Sequence, residues 1–346
     1  MHTFTRFCGF AAAVIATLLL TAPMRAQERP TGQGFSFKTG VELINVNVSV
    51  SDANNRFVSG LRKDDFILYE DGKPQAVSQF ESERVPVSLG IALDTSGSML
   101  GEKIAAARAA LNRFLFDLLG AQDEIFLYRF DTRPELVESW TTDRSSVSRA
   151  LGAVQPRGGT AMYDTIAEAV PMAQSGTRRK KALVVISDGN DTSSQTRVPE
   201  LQQLIRESEV LVYAIGIDSS TGSSYTPQGG GTWNPPLPSP FPGRLPPILR
   251  PPRRQPPPQR STRTSGDHVN VEALRTITDD SGGRTEIIAS DRDLDPATAG
   301  IADELSKQYF LGYISSLPKD GRWHTIEVQV RRGNYTVRAR KGFIAN

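Results

Sequence analysis

Cysteine is almost missing from this chain: Cys8 stands alone among 346 residues. A single thiol excludes an internal disulfide and any multi-cysteine zinc site. Histidine is nearly as scarce, at positions 2, 268 and 324. A Ser–His or Cys–His nucleophile pair has little to draw on, and no Gly-x-Ser-x-Gly leads into a helical pattern. No Gly-x-Gly-x-x-Gly or Walker lysine follows a strand-like run, so dinucleotide and nucleotide sites are not indicated. Long apolar runs are lacking too. The stretch from Phe10 to Leu20 is too short to span a bilayer, and no later segment is long enough. With Arg6 before it and Pro23-Met24-Arg25-Ala26 after it, that stretch predicts a secretory signal over residues 1–26. The protein is then secreted or periplasmic. Removing the signal takes Cys8 with it, so the exported chain must be held by its core alone or by a metal. Net charge is the last absence. Without Arg6 and Arg25, 38 basic residues face 38 acidic ones. That balance gives no whole-chain support for binding nucleic acid or an anionic membrane.

What is present is a change of hydrophobic period along the chain. Residues 27–34 read as a flexible lead, and from Phe35 to Arg84 the period is two. Val41 to Val50 alternates as a half-buried strand does. Asp52-Ala53-Asn54-Asn55 marks a turn, Phe66–Glu70 a second strand, and Asp71-Gly72 a favoured hairpin turn before Gln75–Phe80. This β module, 35–84, is too small to bury a core alone. Over 85–309, strand and helix patterns alternate, which predicts an α/β domain with a mostly parallel sheet covered on both faces. Residues 219–266 interrupt it with thirteen of the 23 prolines, six arginines and no acid. Such a segment cannot offset its ordering entropy, so it reads as a disordered, partly polyproline insert. It is either a solvated loop extension or a recognition arm for a polyanionic surface or a proline-binding module. From Tyr309 the period returns to two, with strands expected over Tyr309–Ile314, Trp323–Val330 and Tyr335–Arg340. Neither flank makes a complete sheet, so 35–84 and 310–346 are predicted to pair into one β-sandwich, with the α/β domain inserted between them.

The candidate chemistry lies where a buried strand ends. Val85 to Leu93 is apolar and stops at Asp94-Thr95-Ser96-Gly97-Ser98-Met99, and Gly101 to Leu119 then carries helical spacing. Open α/β sheets place ligand sites at such strand ends. One carboxylate and two hydroxyls at spacing two offer oxygen ligands to a hard cation. Ser and Asp also crowd such loops simply to cap helices. Two further segments bear on that choice: Gly158-Gly159-Thr160-Ala161-Met162-Tyr163-Asp164 before a helical pattern, and Ala182 to Gly189, a second buried strand ending in Ser187-Asp188-Gly189.

Together these three segments resemble the von Willebrand factor type A domain and its metal-ion-dependent adhesion site (MIDAS). The resemblance implies five site positions: Asp94, Ser96, Ser98, Thr160 and Asp188. In that site Ser96, Ser98 and sometimes Thr160 touch the ion, while Asp94 and Asp188 act largely through water. An oxygen-only donor set without His or Cys favours Mg²⁺, with Mn²⁺ or Ca²⁺ possible, over zinc. Neutral hydroxyls leave much of the ion's charge uncompensated, so the resemblance implies a protein partner that supplies an Asp or Glu carboxylate. The wider arrangement also resembles a family of secreted bacterial proteins, best known from acidobacteria, through Gly60-Leu61 to Phe66, Glu70-Asp71-Gly72 and Tyr309-Phe310-Leu311-Gly312-Tyr313. The function expected is metal-dependent protein binding rather than catalysis. The alternatives are an envelope-assembly protein whose metal only steadies a loop and, more remotely, a metal-dependent hydrolase. Asp164 and Asp191 read as caps or solvated acids. Asp131 falls on the same sheet edge, either beside the ion or merely near it.

Overall fold

The computed structural model describes residues 42–218 and 269–345. The predicted signal, the flexible lead and the 219–266 insert lie outside these residues. The chain opens with β1 (Glu42–Ser51), β2 (Phe66–Glu70), β3 (Lys73–Gln75) and β4 (Val77–Glu81). An α/β segment follows: β5 (Val87–Asp94), α1 (Glu102–Arg113), β6 (Glu124–Phe130), β7 (Pro134–Thr141), α2 (Arg144–Ala153), α3 (Met162–Gln174), β8 (Lys180–Ser187), α4 (Val198–Glu207) and β9 (Leu211–Ile217). After the insert come α5 (Val271–Thr278), β10 (Thr285–Ile288) and α6 (Leu294–Lys307). Four strands close the chain: β11 (Tyr309–Ser315), β12 (Trp323–Val330), β13 (Thr336–Ala339) and β14 (Gly342–Ile344).

The α/β segment forms one sheet in the order β10-β9-β8-β5-β6-β7, parallel except for the antiparallel edge strand β7. Its central strands are buried on both faces, so they read as unbroken apolar runs rather than alternating ones. Every residue of β5 is buried. Leu89, Ile91 and Leu93 pack with Leu111 of α1 and Ile301 of α6, while Ala92 and Phe126 join Ile166 of α3 and Leu201 of α4 on the other face. Gly90 is required there, because a Cβ would stand 2.3 Å from the Phe126 ring. Local signals set the helix starts. Asp143 caps α2 by accepting the Ser145 N–H, and Asn270 caps α5 by accepting the Ala273 N–H.

Strands from both flanks interleave in two antiparallel sheets, β13-β1-β11-β4 and β14-β12-β2-β3, facing each other across Val46, Leu68, Leu311 and Ile326. The chain is thus an α/β domain inserted in a β-sandwich. Two details differ from the periodicity reading. The single strand expected over Gln75–Phe80 is two strands, β3 and β4, which belong to opposite sheets. The strand expected at Tyr335–Arg340 ends at Ala339, and a further strand, β14, crosses to the other sheet. The strand expected from Tyr309 begins there, as β11.

A buried polar network joins the two parts. Glu304 on α6, with no exposed surface, accepts Ser49 Oγ at 2.7 Å, Tyr213 OH at 3.1 Å and Arg284 Nε at 3.0 Å, and also pairs with Arg338. Gln308 Nε2 donates to Ser49 Oγ and Tyr213 OH. Nearby, Lys180 Nζ donates to the Leu305 carbonyl at 2.6 Å, and burial lowers its pKa to about 8. Among the described residues no helix is long and apolar enough to cross a membrane.

Candidate metal centre

β5 and β8 are parallel neighbours with Leu93 opposite Ile186, so their ends bring Asp94 beside Ser187 and Asp188. Asp94 is fully buried, and Asp188 is 5% exposed. Ser187 Oγ donates to Asp94 Oδ2 at 2.5 Å, while the Ser96 N–H donates to Asp94 Oδ1 at 2.8 Å. The second bond curls the loop back over the strand end, as Asp side chains do in turns. It leaves Ser96 Oγ and Ser98 Oγ 3.0 Å apart, the first buried and the second exposed.

The Thr160 loop is stitched to this one by backbone bonds. Gly97 N–H donates to Gly158 O at 3.0 Å, and Arg157 N–H to Thr95 O at 2.7 Å. On its other side Thr160 N–H donates to Thr192 Oγ1, and Thr160 O accepts the N–H groups of Thr192 and Ser193. The crossing is tight: a Cβ on Gly159 would lie 2.5 Å from Ser193 Oγ. Three loops from separated stretches of sequence therefore share one edge of the sheet, and the five predicted positions sit in them.

The electrostatics suit a cation. Burial pushes the Asp94 carboxyl up to about 6, with the Asp188 charge adding to it and hydrogen bonds from Ser187 and Ser96 opposing. Both carboxylates are buried, and among the described residues neither forms an ion pair. Among the same residues no three His, Cys, Asp or Glu side chains gather as a metal site. Hydroxyls would have to complete this one, which fits a hard ion such as Mg²⁺ or Ca²⁺.

Asp164 and Asp191 do not join the cluster. Asp164 accepts the N–H groups of Gln195 and Thr196, and Asp191 accepts those of Tyr163 and Ser194. Both clamp the loop after β8 onto the first turn of α3. Asp131 is buried at the end of β6 and holds Arg157 Nε at 3.1 Å. The sequence reading passed over Ser187 and Thr192, which orient Asp94 and Thr160. Ser187 was findable, since it ends the same apolar strand as Asp188. Thr192 carries no such local signal.

Residues 89–190 match the family of von Willebrand factor type A domains. The chain carries a von Willebrand factor type A domain. Inter-alpha-trypsin inhibitor heavy chain H4 from Homo sapiens is 28% identical over 135 residues, covering 36% of this chain and 14% of that protein. The match thus spans about a seventh of that relative's length. Among solved structures, a von Willebrand factor type A protein from Catenulispora acidiphila is similar with a TM-score of 0.46 at 14% identity, over 89% of this chain and 75% of that one. Proximal thread matrix protein 1 from the mussel byssus, described with a zinc-occupied MIDAS motif, gives a TM-score of 0.46 at 11% identity, over 68% and 49%. The type A family is known for metal-dependent protein interaction.

Proposed function

We propose that this chain is an exported, metal-dependent protein-binding module. Ser96, Ser98 and Thr160 would hold one Mg²⁺, and Asp94 and Asp188 would neutralise part of its charge from behind. The observation that carries this reading is the buried pair Asp94 and Asp188, faced by the hydroxyls of Ser96 and Ser98 at the strand ends. A bound ion supplies a Lewis-acidic position that attracts an external carboxylate. The chain's own part is to present that position. The Asp94–Ser187 and Asp94–Ser96 bonds hold the strand end rigid, and the stitched Thr160 and Thr192 loops set the third hydroxyl. The partner then contributes an Asp or Glu.

Calorimetry with Mg²⁺ and Mn²⁺ on the wild type and on Asp94→Ala tests the site; equal binding by both proteins would refute it. A pull-down from the parent cell's exported fraction, in Mg²⁺ and then EDTA, tests the binding role. Capture that survives excess EDTA undiminished would end the metal-bridged mechanism.

A further inference from the structure

The candidate ion site does not stand alone on its edge of the sheet. β5 and β6 run side by side with Asp94 opposite Phe130. Asp131 therefore lies one strand spacing, about 5 Å, from the loop that begins at Thr95. Asp131 accepts Arg157 Nε at 3.1 Å and Arg129 Nη1 at 3.4 Å. Arg157 is tied at both ends, by its N–H to Thr95 O and by Nε to a buried carboxylate, yet its side chain is 70% exposed. A guanidinium pinned this way presents its outer N–H groups with little rotamer entropy left to lose.

Past Arg157, between β7 and the end of α2, lies a cleft of about 410 Å³. Val137, Ala150, Ala153 and Val154 give it apolar walls, and Arg129 and Arg157 border it. Glu135, also at this cleft, is already paired with Arg129 and turns negative charge away. The order along the edge is thus ion site, exposed guanidinium, and a cleft whose apolar walls stand among the polar side chains of Arg129, Glu135 and Gln155.

We propose that these three features form one recognition strip for an extended partner segment lying across the strand ends. Its first carboxylate meets the ion, a second carboxylate pairs with Arg157, and a large apolar side chain enters the cleft. This rests on the metal-dependent reading above and names the partner's chemistry. Arg157 lies at least one strand spacing, about 5 Å, from the ion site, and same-face side chains of an extended chain recur every second residue, about 6.6 Å, so the two acids are expected two residues apart.

The test is selection of a random heptapeptide phage library on the full chain in Mg²⁺, with elution by EDTA. Released peptides are expected to carry two acids so spaced, with Leu, Ile, Met or Phe beyond the second. Synthetic versions should bind Arg157→Gln about tenfold more weakly, the size of a lost charge-assisted hydrogen bond, with only the second acid's preference gone. Ala153→Phe fills the cleft from an exposed helix end and should remove the apolar preference while keeping both acids. Arg157→Lys should restore part of the binding. If released peptides carry one acid and bind both variants as they bind wild type, the strip is wrong and the metal-dependent reading stands. If EDTA releases nothing above background and the bound peptides, recovered only by acid, lack Asp and Glu, that reading fails and the strip falls with it.

Discussion

Asp94→Asn should change the protein's stability in opposite directions with and without metal. The wild-type carboxyl sits at about 6 in the ion-free fold, against an ordinary 3.8. That gap corresponds to about 3 kcal/mol held against the ionised, ion-free protein at neutral pH. Asn keeps the shape and still accepts the Ser96 N–H. Its amide replaces the oxygen that accepts Ser187 Oγ, which costs about 1 kcal/mol. In EDTA near neutral pH the variant should gain about 1–2 kcal/mol, or roughly 2–6 °C in Tm for a chain of this size. The sign follows from the raised folded pKa: the wild type keeps its full stability below the unfolded value near 3.8 and loses it as pH rises through about 6. The variant's advantage should therefore vanish near pH 4. In Mg²⁺ the order inverts. At about a hundred times Kd the ion adds about 2.7 kcal/mol to the wild type and nothing to a variant that cannot hold it. Scanning calorimetry at both pH values, in EDTA and in Mg²⁺, reads all four arms. An Asn variant that melts at or below wild type in EDTA at neutral pH would refute the crowded-acid argument. A wild type indifferent to Mg²⁺ would refute the site.

Glu304→Gln should lower stability by about 3 kcal/mol, because it leaves Arg284 and Arg338 without their shared buried carboxylate; urea titration showing a loss under about 1 kcal/mol would contradict this. His324 has a carboxylate at each ring nitrogen, Asp71 at 2.8 Å and Asp320 at 3.2 Å, and Asp71 first and Asp320 next raise its pKa. Its stabilisation, under about 1 kcal/mol after solvent screening, should be complete below the unfolded value of 6.5 and be lost as pH rises through the raised folded one. A urea-midpoint gap between wild type and His324→Gln that is equal at pH 6 and pH 9 would contradict it. Gly90→Ala should cost about 1–3 kcal/mol through its clash with Phe126, and Phe126→Leu in the same chain should recover part of that; a silent Gly90→Ala would show that the ring can move freely.

The α/β order and the strand ends that carry Asp94 and Asp188 were legible because buried parallel strands leave unbroken apolar runs that stop abruptly. Phe66–Glu70 and Trp323–Val330 match their expected bounds for a different reason: each is a sandwich strand buried on one face, which leaves an alternating pattern. Thr160 was legible only through the family resemblance, since its place depends on backbone bonds to Gly97's loop and to Thr192 that no local pattern announces. The Glu304 network was invisible. Ser49, Tyr213, Arg284, Arg338 and Gln308 come from five separate elements or junctions, and each looks ordinary in its own window. Arg157 looked like one more loop arginine until Asp131 was seen to hold it.

The crossings between the two parts and the proposed binding site occupy opposite ends of the same strands. The chain passes from sandwich to α/β domain between β4 and β5, and returns between α6 and β11. Both crossings lie at the entry end of β5. There Asp123 holds Arg84 and the Val87 N–H, Arg179 pairs with Glu81, and Lys180 ties down Leu305. Glu304 and its two arginines brace the same end. Asp94, Ser96, Thr160 and Asp188 lie at the exit end, as far from the crossings as the strands allow. A β-strand of eight residues spans about 27 Å, so the sandwich can anchor the domain, or meet a neighbour of its own, without covering the edge where a partner's carboxylate would enter. Insertion through one end of a sheet thus gives a rigid mount without drawing the crossings to the end that carries Asp94 and Asp188.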